Sequence, residues 1–295
     1  MIFIVMEKQA MVPAVVTKII SMQSSLTVSE NEIARYVIHN AERVATSTIT
    51  AIAGYTGTSE ASINRFCKKV GFKGFNSFKI ALAQENFYNT MKGREEPEES
   101  GGLIASMSLD YRRMIANTSA MLDEDVLVAA AECVKKAANI YIFSYAATAF
   151  TARELNFKLQ MIGINAKSVT DTNLMRMYAA GLNEGDVAIA IVPTIMMRDI
   201  YQTVTVCKER GAKILTITSF DSPKLNDLVD FKFVTSDKIV ARNSLSLSSN
   251  LMFLYVVDVL FCAILAGDKG LRQRKLNSDA LLGSSQMLDN YLFEY

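Results

Sequence analysis

Between Ser59 and Phe75 the chain gathers side chains that suit a nucleic-acid surface: Ser62, Asn64, Arg65, Lys68, Lys69 and Lys73. Arg and Asn can each make paired hydrogen bonds to a base edge, and Lys neutralises phosphate. To act together they must share one side of a helix, and the spacing supplies it. Ile63, Phe66, Cys67 and Val70 recur at three and four residues and define an inward face, which leaves the polar set outside. Ser59 is placed to cap this helix by accepting a hydrogen bond from a first-turn amide, and Glu60 suits the positive end of its dipole. Upstream, Thr48 to Tyr55 carries Ile49, Ile52 and Ala53 on one face and is broken by Thr56-Gly57-Thr58-Ser59. Two short helices joined by a glycine-containing turn make a helix-turn-helix, with the second helix free to enter a major groove. Gly71-Phe72-Lys73-Gly74-Phe75 then reads as a tight connector whose two aromatics anchor the next helix, with Lys73 near the nucleic-acid backbone. Composition alone leaves a second possibility open, an ordinary helical domain with a solvated basic face.

Over the whole chain 31 Lys and Arg stand against 30 Asp and Glu, a net charge of +1, which excludes a uniformly basic coat and a disordered acidic protein alike. The balance conceals an asymmetry. Up to Arg94 there are 11 basic against 6 acidic residues, net +5, and the remaining 20 against 24 leave net −4, so the candidate reading helix lies in the basic half. The length of 295 residues and a hydrophobic content of 50% provide for two domains, each with its own core. Apolar periodicity stops at Lys92-Gly93-Arg94-Glu95-Glu96-Pro97-Glu98-Glu99-Ser100-Gly101-Gly102, which reads as a linker. The expected division is a helix-turn-helix domain over 11–90, a linker over 91–102 and an α/β domain over 103–295. Before the linker the segments Val12 to Met22, Ser29 to Asn40, Ile49 to Tyr55, Glu60 to Val70 and Asn76 to about Tyr88 read as helices.

After the linker come helical stretches near Leu103 to Ala120 and Asp123 to Lys136, then short apolar runs separated by helix-length segments. The runs are Ile140 to Phe143, Ala166 to Val169, Val187 to Val192, Ile214 to Thr218 and Phe231 to Val234. Continuous Val/Ile-rich runs of this kind are buried parallel strands with crossover helices. The fold class is therefore an all-α helix-turn-helix domain followed by an α/β, doubly wound, parallel five-stranded sheet. Such sheets bind ligands outside the carboxyl ends of the strands, where helix N-termini present amides to anions. Three loops qualify: 144–148 with Ser144, Ala147 and Thr148; 192–197 with Thr194; and 218–222 with Thr218 and Ser219. Cys67, Cys133, Cys207 and Cys262 are widely spaced, which suits neither a zinc site nor a disulfide framework and fits a reducing cytoplasm. Met1 to Met6 lacks the form of a signal peptide. Leu251 to Ala266 is 16 residues interrupted by Asp258, short of the ~20 that span a bilayer. It reads as a buried helix or one at a subunit interface.

The stretch Thr58-Ser59-Glu60-Ala61-Ser62-Ile63-Asn64-Arg65-Phe66-Cys67-Lys68-Lys69-Val70-Gly71-Phe72-Lys73-Gly74-Phe75 resembles the signature of the RpiR family of bacterial transcriptional regulators, and so does Leu26-Thr27-Val28-Ser29-Glu30-Asn31-Glu32-Ile33-Ala34. The resemblance is close from about Met11 to Glu85 and looser behind it. It implies a helix-turn-helix domain ahead of a sugar-isomerase (SIS) domain, a cytoplasmic homodimer or tetramer, and a double-stranded DNA operator of paired half-sites as partner. It also implies a sugar-phosphate or related small-molecule effector, with neither metal nor cofactor.

Against that family pattern the rear loops depart. The first loop of an SIS domain is usually glycine-rich and the second reads Ser-x-Ser-Gly-x-Thr, together cradling a phosphate. Here Ala146 and Ala147 hold the small positions and Thr148 can still cap the helix, so that the first loop could work in part, while the second loop keeps only Thr194, with Ile195, Met196 and Met197 replacing glycine and threonine. Glycine permits close backbone approach to phosphate, and isoleucine obstructs it. Three readings stay open: a pocket shifted toward a less charged effector, a scaffold that binds nothing, and intact sugar-phosphate binding. An SIS-type aldose–ketose isomerase is the enzymatic alternative and needs a positioned general base. The single histidine, His39, lies in the front domain, and Glu154 and Glu184 lack a partner pattern. Asp258 is a candidate buried carboxylate, expected to make a cap or an interhelix hydrogen bond in an interface rather than to catalyse. No enzyme activity is expected.

Overall fold

Helix caps organise the front of the molecule. In the computed structural model, which describes residues 15–95, 102–195, 197–222, 227–241 and 243–286, α1 (Val15–Met22) is followed by α2 (Val28–His39). Thr27 starts α2 with a reciprocal box, in which its hydroxyl accepts from the Glu30 amide and its own amide donates to the Glu30 carboxylate at 2.8 Å. Then come α3 (Ala41–Thr46), α4 (Ile49–Thr56), α5 (Glu60–Lys69) and α6 (Phe75–Glu95). Helix α3 had no counterpart in the sequence reading. Its six residues bury only Val44, too few to display a period. Residues 12–14 of the expected first helix lie outside the described residues. Helix α6 continues past Tyr88 to Glu95, through charged residues read as linker, and 96–101 lie outside the described set.

The front core closes around Ile19, Ile33, Val37, Ile52, Phe66 and Leu82, all 1% exposed or less. Phe78 of α6 receives two rings edge-on, Phe66 at 6.1 Å and Phe72 at 5.3 Å between centroids. Together with buried Phe75, this bears out the expected aromatic anchoring of α6. At the far end Glu85 of α6 reaches back to α1, where its carboxylate accepts the amides of Val15 at 2.8 Å and Val16 at 3.3 Å. These are orphan donors at the helix start, and a buried carboxylate satisfies both.

The chain divides into two compact units. One takes the residues up to 122 with 219–223 and 234–252, and the other takes 123–218, 224–233 and the residues from 253 onward. In the first unit α7 (Gly102–Met121) buries Met114 against Leu247 and Met252. Asp110 on the same helix accepts the backbone and side-chain N–H of Asn243 at 3.0 and 2.8 Å.

The second unit opens with α8 (Glu124–Lys136), capped by Asp123, and continues through β1 (Ile140–Phe143), α9 (Ala149–Met161), β2 (Ala166–Val169), α10 (Thr172–Ala180), β3 (Val187–Ile191), α11 (Arg198–Glu209) and β4 (Lys213–Thr218). β5 (Phe231–Val234), α12 (Asn250–Leu265) and α13 (Lys269–Gln286) follow in the chain. The strand order is β2-β1-β3-β4-β5, and β1, β2, β3 and β4 pair in parallel. Every residue of β3 is buried, as a central strand covered on both faces requires. Ala188, Ala190 and Ile214 pack with Met175, Ile200, Val204 and Cys207 of α10 and α11. The order reverses between β1 and β3, so the crevice beyond their carboxyl ends is the switch point. The apolar run of α12 is one-sided rather than wholly buried. Phe253, Val256, Val257 and Leu260 are at 0% exposure, whereas Asp258 and Cys262 face outward.

Candidate nucleic-acid interface and crevice loops

Helix α4 ends at Gly57, whose φ of +63° is the left-handed conformation that lets its own amide and that of Thr58 both return to the Ala53 carbonyl. The Thr56 and Thr58 hydroxyls meet at 2.8 Å and stiffen the turn. Ser59 then caps α5, accepting from the Ser62 amide at 3.1 Å. The inward face is as the spacing required: Ile63, Phe66, Cys67 and Val70 are all 1% exposed or less. Burial pushes the Cys67 thiol up to about 12, so it behaves as a packing group.

The outward residues divide into two sets. Arg65 and Lys68 are exposed at the middle and end of α5, and Lys73 is exposed just beyond it. Arg65 is steadied by a chain of hydroxyls, in which its guanidinium donates to Ser62 Oγ at 3.3 Å and Ser62 Oγ lies 2.9 Å from Ser59 Oγ. The other set is bonded to neighbouring helices, although Glu60 and Asn64 are themselves exposed. Lys69 donates to the Ser25 carbonyl at 2.9 Å and to Glu30 Oε2 at 2.7 Å, joining the end of α5 to the start of α2. Burial alone would raise the Glu30 carboxyl, but the Lys69 ammonium and the Thr27 amide outweigh it and hold the group below its usual value. Glu60 accepts from the Thr50 hydroxyl at 2.6 Å, bracing α5 against α4. Asn64 Oδ1 accepts from the Phe75 amide at 3.0 Å, tying α5 to the first turn of α6. These partners lie 10 to 44 residues away in the chain, beyond the reach of any local pattern. An open cleft of about 480 Å³ runs beside them, lined by Ile49, Asn64, Lys73, Gly74, Phe75 and Asn76 among others.

In the second unit the loop after β1 is unlike the expectation. Thr148 does not cap α9. Its hydroxyl donates back to the Tyr145 carbonyl at 2.9 Å, because Thr148 itself has helical dihedrals and a cap needs an extended residue there. Ala146 has φ of +50°, a left-handed conformation that favours glycine. Ala147 is exposed beside it. Ser144 is fully buried and its hydroxyl has no partner among the described residues. Across the crevice Ile195 is buried, and the Met197 sulfur accepts the Tyr145 hydroxyl proton, a contact between loops that sequence patterning did not signal. Thr194 is half-buried and not without a partner, and Thr218 donates to the Pro193 carbonyl at 2.7 Å. Ser219 belongs to the other unit, buried, with its hydroxyl 3.1 Å from that of Thr235. Met196 lies outside the described residues.

The carboxylates weighed as candidate bases, Glu154, Glu184 and Asp258, and the histidine are not buried. Asp258, expected to be buried, is 52% exposed and pairs with the Lys158 ammonium at 2.6 Å, an interhelix contact rather than a cap. His39 is exposed at the end of α2. Among the described residues no group of three His, Cys, Asp or Glu could hold a metal ion, and no helix is long and apolar enough to cross a membrane.

Comparison with known proteins agrees with this arrangement. Residues 14–87 match the helix-turn-helix domain of the rpiR family, and residues 134–263 match the SIS domain. An uncharacterized HTH-type transcriptional regulator of Caldanaerobacter subterraneus is 31% identical over 247 residues, covering 82% of this chain and 87% of that protein. The HTH-type regulator YbbH of Bacillus subtilis is 27% identical, covering 83% and 88%. Among solved structures, the Vibrio vulnificus NanR protein complexed with ManNAc-6P superposes with a TM-score of 0.58 at 22% identity, covering 93% of this chain and all of that one. The sugar isomerase domain of an RpiR transcription factor from Sphaerobacter thermophilus gives 0.53 at 18% identity, covering 61% and 96%. With an HTH domain ahead of a five-stranded SIS fold, and a relative of this similarity matched over most of its length, the chain belongs to the RpiR family of HTH-type transcriptional regulators.

Proposed function

We propose that α5 reads a duplex through Arg65, with Ser62 beside it, while Lys68 and Lys73 contact phosphates, and that Glu60, Asn64 and Lys69 position the helix without touching bases. One observation carries this reading: among the described residues Arg65 and Lys68 stand exposed opposite a sealed core with no side-chain bond to another element, whereas Glu60, Asn64 and Lys69 are each bonded to a neighbouring helix. The regulator acts in the cytoplasm as a homo-oligomer, so that two such helices meet the half-sites of a two-fold symmetric operator. Selection of bound duplexes from a random pool, followed by titration of the selected sequence, tests it. Arg65→Ala weakens specific binding by ~1 to 3 kcal/mol. Wild-type affinity in both Arg65→Ala and Lys68→Ala would remove α5 as the reading element.

The rear unit serves oligomerisation and takes an effector less charged than a sugar phosphate. Ser144 keeps a buried hydroxyl free for a ligand, but the Thr148 and Thr218 hydroxyls are turned onto carbonyls and Ile195 fills the glycine position. The crevice loops carry no histidine or glutamate to act as a base, which supports a regulator without isomerase activity. A thermal-shift panel of phosphosugars and their neutral counterparts tests this. Saturation by a phosphosugar at 100 times its dissociation constant would add ~2.7 kcal/mol and overturn it.

A further inference from the structure

On α9 the outward residues Phe150, Arg153 and Phe157 form one stripe, with Glu154 at its edge. Phe150 is 70% and Phe157 47% exposed, although Leu155 and Leu159 of the same helix are fully buried against the sheet. Seven residues is two helical turns less about 20°, so the two rings lie on one line along the helix. Arg153 and Glu154 then fall on opposite flanks of that line, each about 50° away. Arg153 has no partner among the described residues. Glu154 has only a 3.6 Å contact with Lys158, whose ammonium is held more closely by Asp258 at 2.6 Å.

We propose that this stripe is the centre of a two-fold interface with a second copy of the chain, the two α9 helices running parallel. The charge pattern selects the second copy and the direction. In a parallel pair about a two-fold, each Arg153 flank faces the other copy's Glu154 flank, giving two ion pairs astride a Phe150 and Phe157 seam. An antiparallel pair would set Arg153 against Arg153 and Glu154 against Glu154. The exposed parts of four rings amount to on the order of 500 Å², less than the ~1,200 to 2,000 Å² of a stable interface. Helix α13 supplies the rest. It docks beside the carboxyl end of α9 through Arg274 to the Ile162 carbonyl and Ser278 to the Met161 carbonyl, yet none of its side chains from 269 to 282 is buried. A helix that buries none of its described side chains is marginal in water, and a second copy gives it a buried face.

The inference rests on the homo-oligomeric reading above, and sedimentation of the full chain separates the two. A wild-type chain that stays monomeric at tens of micromolar ends both. If the wild type dimerises, Arg153→Glu weakens the dimer at least ~10-fold by placing like charges together, and the swap Arg153→Glu with Glu154→Arg restores it. The swap also controls for folding, since both variants carry the same new glutamate. Under mild oxidation Phe150→Cys cross-links to itself, because the two-fold brings that position against its own copy. Dimers indifferent to the single charge reversal, or reversal not rescued by the swap, or cross-linking only when Phe150→Cys is combined with Phe157→Cys, would each overturn the parallel α9 interface.

Discussion

The side-chain oxygen of Asn64, one turn before the end of α5, accepts the backbone amide proton of Phe75 at 3.0 Å. A residue whose type suits adenine recognition is thereby engaged as a pin between the reading helix and α6. Asn64→Ala leaves that amide without its partner and is expected to destabilise the protein by ~1 to 2 kcal/mol in denaturant titration. Asn64→Asp keeps an acceptor and retains most of the stability. Its order of preference among single-base operator variants stays that of the wild type, while affinity falls uniformly. A changed preference at one base in the Asp variant would mean that Asn64 reads that base.

Two adjacent lysines are expected to part company. Lys68→Ala reduces the slope of log affinity against log salt by ~1, because an exposed cation releases a counterion from the duplex. Lys69→Ala leaves the slope unchanged and instead lowers stability by ~1 to 2 kcal/mol, having removed a bridge from α5 to α2. Its partner Glu30 holds its carboxyl below the usual value in the folded protein, so that contribution is present above pH ~4.5 and is lost as the pH falls through the folded value. A Lys69→Ala protein with the steeper loss toward acid would reverse the assignment.

Glu85 gives the opposite sign. Burial pushes its carboxyl up to about 7, against two amides that favour the charged form. A group protonated up to about 7 when folded but only to 4.5 when unfolded contributes stability that is complete below 4.5 and is lost as the pH rises through about 7. Glu85→Gln keeps an acceptor for the Val15 amide and carries no charge. Thermal melting between pH 5 and 8 should therefore show a flatter profile than the wild type and a higher midpoint at pH 8. A lower midpoint there would show that the charged carboxylate is worth more to the start of α1 than its burial costs.

Ala146 sits at φ of +50° in the first crevice loop, where a Cβ is strained by about 1 kcal/mol. Ala146→Gly is expected to be neutral to stabilising by up to ~1 kcal/mol, against the ~0.5 to 1 kcal/mol loss usual for glycine elsewhere. Equilibrium unfolding of the variant measures it directly, and an ordinary glycine penalty would contradict a left-handed residue at this place.

Where the sequence announced the structure, a single face was responsible. Ile63, Phe66, Cys67 and Val70 mark the inner side of α5 because helical period and burial coincide, and the strands announce themselves because a parallel sheet covered on both faces needs uninterrupted apolar runs. Patterning failed where one side chain depends on a distant fold. Lys69 and Glu30 are 39 residues apart, so the ammonium reads from sequence as one more basic group. Asp258 was obscured by its surroundings: in a run as apolar as α12 the exposed side looks like the buried one until packing distinguishes them. Thr148 suits a cap by residue type, but its helical dihedrals are not written in its neighbours.

The hydroxyl relay from Ser59 through Ser62 to Arg65 has a thermodynamic corollary. A long cationic side chain ordinarily surrenders rotamer freedom when it docks, roughly 0.5 to 1.5 kcal/mol at an interface. Here part of that loss has already occurred in the unliganded protein, so the guanidinium arrives with its aim largely set. Calorimetry on a Ser62→Ala protein should register the difference as a more unfavourable association entropy, with the base contact of Arg65 itself retained.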